Sequence, residues 1–230
     1  MRRRLQPELM DDPALDAAAH HQALRGLRRI NAISGTASRL FRAIERVASA
    51  RGLTSVRVLD VACGGGDLLL GLARRARRND RRLSLSGCDI SPRAVEHARS
   101  RASGRAEIDF FVADAVAEPP PERYDVVLST LFLHHLDEAA AVRLLRNARH
   151  AAGHAVLVED LARGRVGHAL AVVGVRLLSR SPVVHFDGPA SVEGAYTVDE
   201  AKRLAADAGL DSAHFSHHWP CRFLMQWRRP

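Results

Sequence analysis

From Val56 onward, short apolar runs rich in β-branched residues alternate with stretches in which apolar residues recur every three to four positions. The runs predict strands near residues 56–62, 83–89, 107–112, 124–130 and 154–160, and the intervening periodicity predicts helices near 67–78, 92–102, 137–150, 165–179 and 198–208. Strands separated by helices form βαβ units and a largely parallel sheet. Two last strands, near 211–217 and 221–227, have only Pro220 and its neighbours between them, which predicts an antiparallel hairpin. Before Val56 the pattern differs. Residues up to about Pro13 are charged and carry Pro7 and Pro13, so they are expected to lack regular structure. Two helical patterns then run from Ala14 to Ala50, the first opened by Asp12-Pro13 and the second placing Leu40, Ile44 and Val47 on one face. The segment LRRINAISG, residues 27–35, sits between them.

The expected architecture is α/β, a seven-stranded mostly parallel sheet with an antiparallel C-terminal hairpin and helices on both faces. Residues 1–50 form an N-terminal helical cap or lid, and residues 51–230 form the main domain with a lid insertion near 161–195. Leu161, Val166, Leu170, Val173 and Leu177 line one face of that insertion, either as an ordinary core face or as an apolar wall for a substrate.

Composition narrows the partners. The 230 residues carry a net charge of +8, supplied almost wholly by arginines spread along the chain, with Lys202 the sole lysine. Spread charge reads as solvated faces, and an aromatic content of 5 % argues against a stacking platform for nucleic acid. Cys63, Cys88 and Cys221 form no C-x-x-C pair, so a reducing cytoplasm is the expected compartment. The longest apolar run, Val166 to Leu178, is too short to span a bilayer and contains His168 and Arg176. Oligomeric state is not legible.

The chemistry concentrates in VRVLDVACGGGDLLLGLA, residues 56–73: a strand, a glycine turn and a helix start, the order that lets backbone approach a ligand closely. A dinucleotide site requires G-x-G-x-x-G, but Leu69 follows Gly64 and Gly66 where the third glycine belongs. Asp60 and Asp67 flank the turn and would repel a pyrophosphate. Carboxylates suit a cationic ligand without phosphate, and S-adenosylmethionine carries a sulfonium, an ammonium, two ribose hydroxyls and an adenine. Asp89, 23 residues beyond Gly66 at the second strand end, suits the ribose. Asp114, beyond the third strand, suits the adenine amino group, and Ser129-Thr130 end the fourth strand.

LDVACGGGD, GCDIS, VADA and YDVVLSTLFLHHL, in that order, resemble the motifs of class I S-adenosylmethionine-dependent methyltransferases and cover residues 56–160. The resemblance implies a Rossmann-like fold and a cofactor site drawn from Asp60, Ala62, Cys63, Gly64, Gly66, Asp89, Ile90, Asp114, Ala115, Ser129 and Thr130. Ala62 replaces the first turn glycine of the family, so its backbone is expected to keep a conformation open to a Cβ. The flanks, PELMDDPALD, DLARGRVGHAL and VVHFDGPASVEGAYTVDEA, resemble methyltransferases found with bacterial type III polyketide synthases. That implies O-methylation of a small apolar phenol or polyketide. Quinone methyltransferases are more distant relatives. C-methylation of a quinone precursor is the rival reaction, and a non-catalytic cofactor-binding scaffold the rival class. An RNA methyltransferase has only the charge in its favour, and STLF stands where an amine-binding N-P-P-Y would be.

A phenol must lose a proton during methyl transfer, which calls for a base of near-neutral pKa. His134 and His135, just after the fourth strand, and His185, with Asp187 as an orienting acid two residues on, are the candidates. The bland alternatives are helix-capping or packing histidines and a loop turn at Asp187-Gly188. Arg176 and Asp187 are candidate substrate contacts. His214, His217 and His218 alternate faces on an expected edge strand and lack a convergent fourth ligand, so no metal centre is expected there.

Overall fold

Seven strands form one sheet in the order β3-β2-β1-β4-β5-β7-β6. They are β1 (Ser55–Val61), β2 (Arg82–Asp89), β3 (Ile108–Val112), β4 (Tyr124–Thr130), β5 (Ala152–Leu161), β6 (His214–His218) and β7 (Arg222–Arg228). The first five pair in parallel, and β7 runs antiparallel between β5 and β6. The structure is a computed structural model that describes residues 1–11 and 34–230, with residues 15, 16, 19, 22, 23 and 26 between them. The expected helix start at Asp12-Pro13 and most of the segment 27–35 lie outside the described residues.

Side-chain alternation along each strand sorts the core into two layers. Val56, Val58, Val126, Leu128, Leu157 and Leu224 meet the helices α1 (Thr36–Arg51), α2 (Asp67–Arg78) and α3 (Pro92–Ala102) on one face. Their sequence neighbours Leu59, Val127, Val156, Val158, Phe223 and Met225 meet α4 (Glu138–Ala151) and α7 (Val198–Asp207) on the other. Strand order reverses between β1 and β4, so a crevice opens at the carboxyl ends of those strands.

Between β5 and α7 lie α5 (Arg165–Leu178) and a helix the pattern did not predict, α6 (Pro182–Gly194). Asp187-Gly188-Pro189 reads as a turn, yet it sits inside α6. The close crossing of α5 explains Gly188: a Cβ there would stand 2.4 Å from Val175 Cγ1. Val183 and Val184 are buried with Val175, so tertiary packing overrides the local turn signal. The first eight residues have no regular secondary structure, as expected, and the next three depart from that expectation. Leu9–Asp11 form a 3-10 turn, and Arg4 N–H donates to Glu193 O at 3.0 Å, laying this segment along α6.

A charged network ties α1 to the sheet. Glu159 is fully buried and accepts from Thr36 Oγ1 at 2.5 Å and from Arg39 through both oxygens at 3.0 and 2.8 Å. Arg222 Nη1 approaches the same carboxylate at 3.4 Å and Thr36 Oγ1 at 2.9 Å. Removing one member of such a network strands the others without water. Glu159→Gln is therefore expected to lower stability by about 3–5 kcal/mol. Denaturant melts check this, and a loss below about 1 kcal/mol would show that the site is solvated.

Candidate active site

The turn after β1 is left-handed at three points: Ala62 (φ 55), Gly64 (φ 50) and Gly66 (φ 73). Ala62 thus contradicts the expectation of a conformation open to a Cβ. It keeps the glycine geometry and carries a strain of about 1–2 kcal/mol. The turn is held by Cys63 N–H donating to Cys88 O and Gly66 N–H to Cys63 O, both at 3.0 Å. Phe110 fills the space behind it. A Cβ on Gly66 would stand 2.6 Å from Phe110 Cζ, and one on Gly87 2.7 Å from Phe110 Cδ1. These glycines let β1 and β2 end side by side.

Asp60 is buried, and its Oδ1 has no hydrogen-bond partner. Burial, reinforced by the nearby charge of Asp89, pushes its carboxyl up to about 8. Ser129 Oγ, buried at the end of the adjoining β4, is likewise unpartnered. Asp89 is already half-engaged: Oδ2 accepts from Gly64 N–H at 2.8 Å and Oδ1 from Ser91 N–H at 3.0 Å. Ile90 beside it is exposed at 66 %. Asp114 accepts from the N–H groups of Val116 and Ala117 at 2.9 and 3.1 Å, which folds the loop around buried Ala115. Asn147, which the sequence did not single out, donates to Ala115 O and Val116 O. Burial pushes the Cys63 thiol far up and the Cys88 thiol to about 12, so neither is a thiolate. Asp67 corrects part of the sequence argument. It pairs with Arg101 at 2.5 Å, and Arg101 also donates to Gly65 O, so its charge is compensated at the helix start.

After β4, a 3-10 turn at Leu133–His135 carries both histidines. His134 is buried, with Nδ1 2.6 Å from Asp160 Oδ1. Despite burial, the Asp160 charge and hydrogen bond, with Glu8 beyond, raise its pKa to about 9. His135 is half-buried beside it, ring centroids 4.2 Å apart. Glu8 reaches both rings from the N-terminal segment, at 3.7 and 3.9 Å. Glu8 and Asp160 were not among the expected site residues. Arg3 donates to Gly194 O, His134 O and Leu136 O and lies over the Tyr196 ring, which anchors this segment.

The remaining expectations separate. Asp187 does not orient His185. Its two oxygens accept from Leu9 and Met10 N–H at 2.8 and 3.1 Å, and His185 Nε2 meets Ser179 O at 2.8 Å. Positions two apart on a helix face different sides, which a loop reading could not anticipate. Arg176 is exposed on α5 and donates to Val172 O of its own helix. On β6, His214 and His217 are exposed, and His218 meets Ser216 Oγ at 2.9 Å. Among the described residues no helix is long and apolar enough to cross a membrane.

A seven-stranded sheet of this order, with a glycine turn after its first strand and acids at the next two strand ends, defines a Rossmann-like methyltransferase architecture. Residues 58–154 match the family model described as methyltransferase domain. The chain is 28 % identical over 167 residues to a ubiquinone biosynthesis O-methyltransferase of Leptothrix cholodnii, covering 70 % of this chain and 67 % of that one. Its counterpart in Cupriavidus pinatubonensis is 32 % identical over 165 residues, covering 70 % and 62 %. The chain spans between about half and two thirds of the length of the curated relatives it matches. Similar solved folds include magnesium protoporphyrin IX methyltransferase from Synechocystis PCC 6803 with bound SAH (TM-score 0.60, 16 % identity, 95 % of this chain and 90 % of that one). The plantazolicin methyltransferase BamL, also with SAH, has a TM-score of 0.66 at 16 % identity, covering 85 % and 70 %.

The buried Asp60 carboxyl gives the ligand-free protein one pH-dependent contribution. With a folded pKa near 8 and an ordinary value of 3.8, Asp60 holds a proton in the folded state that the unfolded chain releases. Its contribution is therefore fully present below about pH 4 and is lost as pH rises through about 8. Relative to Asp60→Asn, the wild type should lose about 1 kcal/mol per pH unit between roughly pH 5 and 8. Thermal melts across that range check this, and parallel profiles for the two proteins would contradict it.

Proposed function

We propose that the protein transfers the methyl group of S-adenosylmethionine to a phenolic oxygen of a small, largely apolar acceptor. The observation that carries the donor side is the orphaned Asp60 Oδ1: a buried carboxyl beside a second acid can ionise opposite an entering cation and offers a pyrophosphate nothing. In this reading Asp60 receives the methionine ammonium, and the backbone of Ala62, Cys63, Gly64 and Gly66 lines the carboxylate end. Asp89 accepts from the ribose hydroxyls with the lone pairs left free by Gly64 and Ser91. Ile90 and Ala115 flank the adenine and Asp114 meets its amino group. Ser129 and Thr130 form the floor at the end of β4. The cofactor supplies an electrophilic methyl group on a sulfonium. What remains for the protein is alignment of the acceptor and exclusion of water.

His134 and His135 stand at the mouth between β4, α6 and the N-terminal segment, where the acceptor must approach. Arg176 and Asp187 are left out of the acceptor contacts, since one bonds its own helix and the other binds backbone. His185 holds the α5–α6 connection through Ser179 O. In this reading α5, α6 and the N-terminal segment form the cover over the acceptor, joined to the sheet domain of residues 51–230. The names of the curated relatives favour O- over C-methylation, and they favour a ubiquinone precursor as an acceptor alongside the polyketide phenol implied by the flanking motifs.

The test is transfer of labelled methyl from S-adenosylmethionine to alkylated resorcinols, quinols and RNA, with product mapping. O-methylated phenol is the expected product. Asp89→Ala should weaken cofactor binding about 100-fold or more, the worth of two charge-assisted hydrogen bonds. Unchanged binding would overturn the cofactor site. Tight binding with no transfer to any acceptor would favour the non-catalytic scaffold.

A further inference from the structure

Glu8, His134 and His135 converge from two distant stretches of the chain. Glu8 Oε1 lies 3.7 Å from His134 Nε2 and 3.9 Å from His135 Nε2. One ligand atom from each of the three residues lies within 4.8 Å of the others. One of the three, His134, is oriented from behind, and the ligand oxygen of Glu8 has a fixed donor. Asp160 holds His134 Nδ1 at 2.6 Å and also accepts from the His134 and Leu161 N–H groups at 3.3 and 2.6 Å. Ser191 Oγ donates to Glu8. An imidazole whose Nδ1 is fixed by a carboxylate presents Nε2 outward, the arrangement found behind metal-bound histidines.

Charge supports the same reading. Asp160 and Glu8 place two carboxylates about one buried imidazole. As a proton acceptor His134 is poorly placed, because Glu8 faces the nitrogen that would have to receive the proton.

We propose that Glu8, His134 and His135 bind a divalent first-row transition-metal ion, with Asp160 and Ser191 as supporting partners. Two imidazoles and one carboxylate suit zinc and its neighbours in the series better than magnesium or calcium, which prefer all-oxygen shells. Four-coordinate zinc at about 2.0–2.1 Å sets its ligands roughly 3.4 Å apart, so Glu8 must close on each ring by about 0.3–0.5 Å. Among the described residues three ligands are present, which leaves a fourth position to another donor. That position would face the acceptor if the reading under Proposed function holds, but the site itself stands without it.

The full chain, stripped with a chelator, is titrated with Zn2+ alone by calorimetry and with Co2+ by visible absorption. One equivalent of Zn2+ should bind, with a visible Co2+ spectrum of low coordination number. Glu8→Gln and His135→Ala should each weaken binding at least about tenfold, and Asp160→Asn about 10- to 100-fold. His217→Ala, on the outer strand, should leave it intact. The proposal is overturned if the wild type binds no more tightly than Glu8→Gln and His135→Ala, or if His217→Ala removes the bound equivalent. The Glu8–His134 contact is then only an ion pair that fastens the N-terminal segment. S-adenosylmethionine binding, measured on the same proteins, reports separately on the donor site.

Discussion

A buried carboxyl group with one unpartnered oxygen governs this structure. Asp60 sits at the carboxyl end of β1, buried to 1 % exposure, next to a second acid and with one oxygen unsatisfied. Such a group is destabilising in the empty protein and is tolerated only where it does something. The surrounding fold is arranged to keep it so. Phe110 closes the space behind Gly66 and Gly87, which draws β1 and β2 together and brings Asp60 and Asp89 into one low-dielectric crevice. Gly64 N–H then fixes Asp89 across the turn. The left-handed Ala62 is a second piece of stored strain at the same point. A cation that enters between the acids relieves the first and leaves the second as part of the scaffold.

The proposed acceptor side is built on a different principle. No single strand supplies it. α6 crosses α5 closely at Gly188, and the N-terminal segment is bound to α6 through Asp187, Glu193 and Gly194. Its Glu8 thereby reaches a histidine pair on the far side of the chain, while Glu159, Arg39 and Arg222 hold α1 against the same region of the sheet. The proposed donor site is thus sheet and turn. The proposed acceptor site depends on contacts between segments far apart in sequence.

That difference decides what was legible. Strand ends and a glycine turn are local, so the first four strands and the acids Asp60, Asp89 and Asp114 follow from residues 56–130 read in order, and the terminal hairpin from the pattern around Pro220. The failures are places where distant contacts override local signals. Asp187-Gly188-Pro189 carries every mark of a turn, yet packing on Val175 makes it helix. Asp67 looked like a free acid because Arg101, 34 positions on, is invisible to a motif. Glu8 and His134 are separated by 126 residues, and nothing in either neighbourhood announces the other. Asp160 could have been found: it closes the apolar run AVLVED, and the end of the fifth strand lies beside the fourth.

Calorimetric titration of the ligand-free protein with S-adenosylmethionine at pH 7, in two buffers of different ionisation heat, tests the account at its centre. Asp60 is protonated in the empty crevice and should ionise opposite the ammonium, so binding should release close to one proton, and Asp60→Asn should release none. Binding without proton release in the wild type, or no binding at all, would contradict it.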